Sequence, residues 1–399
     1  MSKRIYEREW YAALSGFCCI GLGLGLCRVA FAPIVPSLVD FHWVTLAEAG
    51  TLGSANFGGY LAGVLVIIWI ARRVDRQLLL RGALIVATLS LFGCAWNFGV
   101  VWLSVLRALQ GFAGATLMTF VPGLVLQSVA PHRQRLIGGF TMSGLGGFTL
   151  AASLLIPVVG TFPATEWGLY GILALGVTIF AWPFLGANVR GVLPPANQDK
   201  PLERSDVRPY VAFLVAYGLL ALAAVPNIVF LADYLHQGLG LTGALSSWLF
   251  AIFGVGLVLG GFSGGLIAHR LGTYATVLIM SLLLVGANLV TVWSRSVDMV
   301  AGASLVFALG MVATVALASL RTLEIVGHAS MAKYWARMCA GYAIGQLAGS
   351  LLFTRLIQAG YGYLDLFWVA EGSLVAMMLF FALSFRAAAS PGSASQTGS

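Results

Sequence analysis

Apolar runs of about 20 residues recur from one end of this 399-residue chain to the other. Each is long enough to cross a ~30 Å hydrocarbon layer as a helix. No other feature narrows the fold as much, because in lipid every backbone N–H and C=O must find a partner within the protein. Composition agrees. Only 9% of residues are charged and 59% are hydrophobic, whereas a soluble domain carries roughly 25% charged residues. The chain reads as an all-α polytopic membrane protein.

Twelve spans are predicted, at 11–38, 46–70, 78–96, 101–129, 136–159, 167–187, 209–235, 244–268, 273–292, 299–320, 332–354 and 362–385. Most connections are short, which makes neighbouring helices antiparallel. The exception is "GANVRGVLPPANQDKPLERSDVR", Gly186 to Arg208, rich in proline, asparagine and charge. It divides the chain into a six-helix bundle (1–187), a linker (188–208), a second six-helix bundle (209–387) and a small polar tail (388–399) expected to be disordered. The first apolar run is far longer than a signal-peptide core and has no small-residue cleavage site, so it reads as an uncleaved first span.

The formal charge of +8 does not mark a nucleic-acid binder, because the basic residues sit in short clusters between apolar runs. With the N-terminus placed in the cytoplasm, 18 of the 22 Lys and Arg fall in inside segments or at the inside ends of spans; Arg295 and Arg355 fall outside, and Arg28 and Arg107 lie deep within spans. This bias predicts a multi-pass plasma-membrane protein, a bacterial inner membrane fitting best, with both termini cytoplasmic.

The two halves repeat. A shift of 197 residues carries "GYLAG", Gly59 to Gly63, onto "GLVLG", Gly256 to Gly260, and "ARRVD", Ala71 to Asp75, onto "AHRLG", Ala268 to Gly272. Glycines four apart, then a basic pair at a helix end, indicate a duplicated fold with its site between the repeats.

The fourth span contains "LSVLRALQGFAGA", Leu103 to Ala115. It resembles the fourth-helix motif of the major facilitator superfamily, carried here by Arg107, Gln110, Gly111, Gly114 and Ala115. The superfamily's loop motif is present as "GGLIAHRLG" (Gly264–Gly272), with Arg270 and Gly272. A degenerate copy, "WIARRVDRQ", holds Arg73 and Asp75. "CRVAFAPIVP", from Cys27, is similar to the first-helix signature of the superfamily's YbfB/YjiJ-like branch. The resemblance covers essentially the whole chain. It implies two pseudo-symmetric six-helix bundles, transport by alternating access, gating roles for the loop motifs, and a role for Arg107 in proton coupling or helix packing. One departure counts against efflux by antiport: the fifth span has Gly144, Gly146 and Gly147, but its only proline is Pro157.

Arg28 lies about ten residues below the outer end of its span, roughly 15 Å at 1.5 Å per residue. Arg107 lies about six below the outer end of its own, roughly 9 Å. A charge at such depth costs ~2.5–3.5 kcal/mol on insertion scales and faces a protein interior or a water-filled cavity. Each arginine has two readings: a structural pair with a neighbouring helix, or, for Arg28, a site for a carboxylate or phosphate group. Glu371 in span 12 is the acidic candidate, read as a structural partner for another helix. Asn227, after Pro226, and Tyr342 with Gln346, on one face of span 11, are candidate substrate contacts. Pro33, Pro36 and Pro226 free carbonyls and bend their helices, which suits gates. Asp233 and Tyr234 read as a solvated loop end, and Trp248, Phe250 and Phe253 as lipid-facing or core residues.

Other classes fit less well. The five histidines lie in loops or at helix ends, the five cysteines have no metal-ligand spacing, and no serine sits in a nucleophile elbow. No catalytic or metal-binding residue is therefore expected, and no cofactor. A channel filter and an ATP-binding loop are not visible either. The reading is a monomeric secondary transporter in the lipid bilayer, driven by an ion gradient with H+ as the expected coupling ion. A small organic anion is the leading substrate class. Proton-coupled efflux of amphipathic or cationic compounds is the alternative, and a non-transporting receptor or enzyme the remote one.

Overall fold

The computed structural model describes residues 2–70, 73–160, 162–187, 202 and 204–386, and no strand occurs among them. The linker lies outside the described residues apart from 202 and 204–208, and the 388–399 tail lies outside them altogether. Among the described residues, eleven helices are long and apolar enough to cross a membrane. Span 11 is not among these eleven, and it is found as the second arm of a long helix. Val297–Gln358 runs as one 62-residue helix broken only at Gly327, whose φ of 69° and ψ of 173° are not helical. The arm before the break is span 10 and the arm after it is span 11, which carries Lys333 and Arg337 near its start.

Seven of the other spans are single helices: span 2 (Leu46–Ile70), span 3 (Arg76–Gly93), span 4 (Val100–Gln127), span 5 (Gln134–Val159), span 6 (Pro163–Ala187), span 8 (Gly243–Leu271) and span 9 (Thr273–Trp293). So is span 12 (Tyr363–Arg386).

Spans 1 and 7 are built differently. Span 1 passes from α-helix (Ser2–Ile20) to π-helix (Gly21–Leu26), then a 3-10 segment (Val29–Ile34) and a last α-turn (Val35–Asp40). Span 7 passes from α-helix (Arg204–Ala223) to π-helix at Pro226–Phe230 and again at Tyr234–Gly238. The prolines predict a bend at Pro33 and Pro36, yet in span 1 the regular helix already ends at Gly21. Glycines at 21, 23 and 25 carry no side chain to hold the regular winding. Arg28 itself sits at φ −131°, ψ −71°. The broken segments Val29–Ile34 and Pro226–Phe230 pack against each other.

The repeat has a packing basis. A Cβ on Gly59 would lie 2.0 Å from the carbonyl oxygen of Ala108, and one on Gly256 would lie 2.3 Å from that of Leu305. Both members of the second contact follow from the first by the same 197-residue shift. Spans 2 and 4 therefore touch backbone to backbone as spans 8 and 10 do, which only glycine permits.

The halves meet along spans 5 and 8 and along spans 2 and 11. The side opposite the chain ends, here the far side, is also pinned. Asp40, ending span 1, lies 2.8 Å from His236 Nε2 and accepts from Gln237 Nε2 at 3.0 Å, both at the end of span 7. Deeper in, Ser54 of span 2 donates to Ser350 of span 11 at 2.9 Å.

Candidate substrate site at the junction of the halves

Arg28 is 7% exposed, and its Nη2 donates to Oε1 of Gln346, 318 residues away on the opposite half. Its guanidinium carbon lies 4.2 Å from the ring centre of Tyr60 and 4.8 Å from that of Phe57, both on span 2. Such stacking stabilises a desolvated guanidinium without neutralising it. Tyr342, one turn before Gln346, packs on Tyr217 with ring centres 4.7 Å apart, and both rings lie within electrostatic reach of Arg28. Among the described residues no carboxylate pairs with Arg28. Three of the four expected substrate contacts, Arg28, Tyr342 and Gln346, therefore converge. Asn227 is 1% exposed on the π segment of span 7, and its amide nitrogen has no hydrogen-bond partner. No hydrogen bond joins that nitrogen to the cluster.

Arg107 is held otherwise. Its Nη1 donates to the Cys27 carbonyl at 2.7 Å and to Gln110 Oε1 at 2.7 Å. Its guanidinium lies 4.2 Å from the ring centre of Phe31. The break in span 1 leaves the Cys27 carbonyl without its helical donor, and Arg107 supplies one. Asn56 of span 2 supplies another at 2.9 Å, and also donates to the Arg107 carbonyl at 3.1 Å. Gln110 in turn donates to Cys94 Sγ of span 3 at 3.4 Å. Gly111 is required for close approach: a Cβ there would lie 2.0 Å from the Asn56 carbonyl oxygen. The fourth-helix motif thus ties span 4 to spans 1, 2 and 3.

The loop motifs bound helices by different means at matched positions. Asp75 caps span 3 by accepting from the Gln77 amide at 2.9 Å. Gly272, its counterpart, turns the chain with φ of +80° between spans 8 and 9. Arg73, beyond the end of span 2, lies 4.1 Å from the ring centre of Trp69 on that span, and Arg270 is exposed.

The family profile described as "Uncharacterised MFS-type transporter YbfB" matches residues 20–383. The chain belongs to this major facilitator family. The transporter is also 25% identical over 278 residues to the Bacillus subtilis (strain 168) protein described as uncharacterized MFS-type transporter YceJ, covering 66% of this chain and 68% of that one. Its fold matches crystal structures of a bacterial homolog to the human lysosomal transporter Spinster. The inward-facing, occupied form aligns with a TM-score of 0.70 at 13% identity, over 96% of this chain and 97% of that one. The inward-facing, unoccupied form aligns with a TM-score of 0.67 at 15% identity and the same coverage. This is a multi-span membrane transporter with the major facilitator fold, and not an enzyme.

Several of the transporter's buried polar groups escape sequence reading. Asp233 and Tyr234 are not a solvated loop end. They are 0% and 1% exposed, because span 7 continues as π-helix to Gly238 and Tyr363 of span 12 donates to Asp233. Glu166, 1% exposed at the far-side start of span 6, accepts from Ser37 of span 1. A lone acid in a first helical turn reads as favourable to the helix dipole, so only its partner on another helix reveals it. Glu371 accepts from Asn288 of span 9 at 2.9 Å, away from the junction. Phe250 and Phe253 stack in the core 5.1 Å apart, and Trp248 is exposed.

Proposed function

We propose that the transporter moves a small organic anion by alternating access, with Arg28 as the anion site. The carrying observation is a buried guanidinium at the junction of the halves, bonded to a neutral amide and flanked by aromatic faces, with no acid paired to it among the described residues. A carboxylate that binds there supplies the missing negative charge through two parallel hydrogen bonds. Tyr60, Tyr217 and Tyr342 offer apolar faces to the rest of the anion. The efflux reading for cations is less well supported, because a fixed cation at the centre repels a second one.

We further propose that both termini are cytoplasmic, so that the far side faces outward, that the protein acts as a monomer of two bundles joined at 188–208, and that a proton gradient drives it. The charge bias of the loops supports the orientation. Proteoliposome uptake of radiolabelled mono- and dicarboxylates, with and without an imposed pH gradient and beside lipophilic cations, tests the scheme. Gradient-dependent carboxylate uptake without ATP is the expected result. Transport of the cations alone, or strict ATP dependence, overturns it. Arg28→Lys keeps the charge but loses the planar fork, and is expected to weaken uptake.

A further inference from the structure

Glu166 stands apart from the candidate substrate site. Its carboxyl lines a cavity of about 50 Å³ together with Pro33, Pro36, Ser37, Asp40 and Gly243, which is room for a few water molecules. One oxygen accepts from the Ser37 hydroxyl, while the other, Oε1, is buried with no hydrogen-bond partner. No cation pairs with it among the described residues. The ionised form in this buried setting has no counter-charge among the described residues, whereas a carboxyl carrying its proton needs none.

The walls of the cavity come from both halves. Ser37 and Asp40 belong to the irregular end of span 1, and Gly243 opens span 8 in the second half. Asp40 is held by His236 and Gln237 at the end of span 7. Separation of the halves on the far side removes Gly243 and these partners, and opens the cavity to water that can solvate an ionised Glu166.

We infer that Glu166 is a proton-binding site linked to closure of the far side: it holds a proton while that side is closed and releases it to water when that side opens. Because the closed state takes up the proton, falling pH favours closure. The titratable groups around it are Asp40, across the cavity on span 1, and Tyr170, one turn along span 6 and within electrostatic reach of Arg107. Gly243 of span 8 brings none. His236 is a second titratable group at this closure, since its ring nitrogens face Asp40 and the Leu241 carbonyl.

The inference rests on alternating access but not on the identity of the substrate, so its test needs no substrate. Spin labels on the two halves, at the exposed positions 97 and 296 after replacement of the native cysteines, report the far-side distance in the full-length protein in nanodiscs. In the wild type the short-distance population should grow as pH falls from 9 to 5. Glu166→Gln, which mimics the protonated carboxyl, should hold the short distance across the range. His236→Gln should keep a pH response. A Glu166→Gln protein that still responds like the wild type overturns the inference, as does a response that follows exchange of sodium for potassium at fixed pH. A wild-type distance that ignores pH overturns it too. A distance that ignores pH but shifts when a carboxylate is added overturns this inference and leaves the proposed function standing.

Discussion

Arg28 and Arg107 are both buried in the first half of this transporter, and the protein holds them in opposite ways. Arg107 binds backbone within one half: its partners are the Cys27 carbonyl and its own neighbour Gln110, and Asn56 shares the load. Arg28, one residue after that carbonyl, points at Gln346 of the other half. A rigid movement of the halves leaves the first set of bonds intact and must break the second. The contrast shows how a single disrupted turn can supply both a fixed post and a movable contact.

Mutations can break this contrast. The largest expected effect is on Arg28→Ala. Removing one partner of a desolvated charged pair costs about 2–5 kcal/mol of binding, so thermal stabilisation by carboxylates should vanish while the unliganded melting temperature stays near wild type. Unchanged ligand stabilisation would remove Arg28 from the site. Next is Arg107→Ala, where a buried carbonyl loses its charged donor at about 1–3 kcal/mol of stability. Melting temperature and yield should fall, with the remaining folded protein still binding carboxylates. An unaltered melting temperature would mean that the Cys27 carbonyl does not depend on this arginine.

A double-mutant cycle sharpens the point. Arg107→Ala and Asn56→Ala share the Cys27 carbonyl, so their effects on unfolding should deviate from additivity by about 0.5–3 kcal/mol. Additive effects would show the two donors to be independent. The smallest effect belongs to Gln346→Ala. Loss of one hydrogen bond that orients Arg28 is worth about 0.5–1.5 kcal/mol, and titration calorimetry should show up to about tenfold weaker carboxylate binding. An affinity equal to wild type would leave Gln346 as packing only.

Legibility in the sequence followed locality. The crossings could be read because each is a continuous apolar run, and the duplication because glycine spacing survives as a pattern. The eleventh crossing, predicted at 332–354, is present, although no loop separates it from the tenth. Arg28, Tyr342 and Gln346 could each be singled out as polar groups in apolar surroundings. Their meeting could not, because it depends on how the halves dock. Tyr60 and Tyr217 gave no signal, since aromatic residues in a membrane helix are ordinary. Asp233 reads wrongly as a loop end because the hydroxyl that bonds one of its oxygens comes from Tyr363, 130 residues further on.

The connection between spans 10 and 11 also has a mechanical side. Between most spans a loop with slack lets neighbouring helices tilt independently, but here, as at Gly272 between spans 8 and 9, two long arms share a single glycine joint at Gly327. Its dihedral angles, φ 69° and ψ 173°, lie where residues with a side chain are strained. Span 11 carries Gln346 to Arg28, so any swing of that arm relative to span 10 is transmitted as torsion through one residue to the centre of the molecule. A protein with so little play at this elbow converts a small rotation there into displacement at its far end.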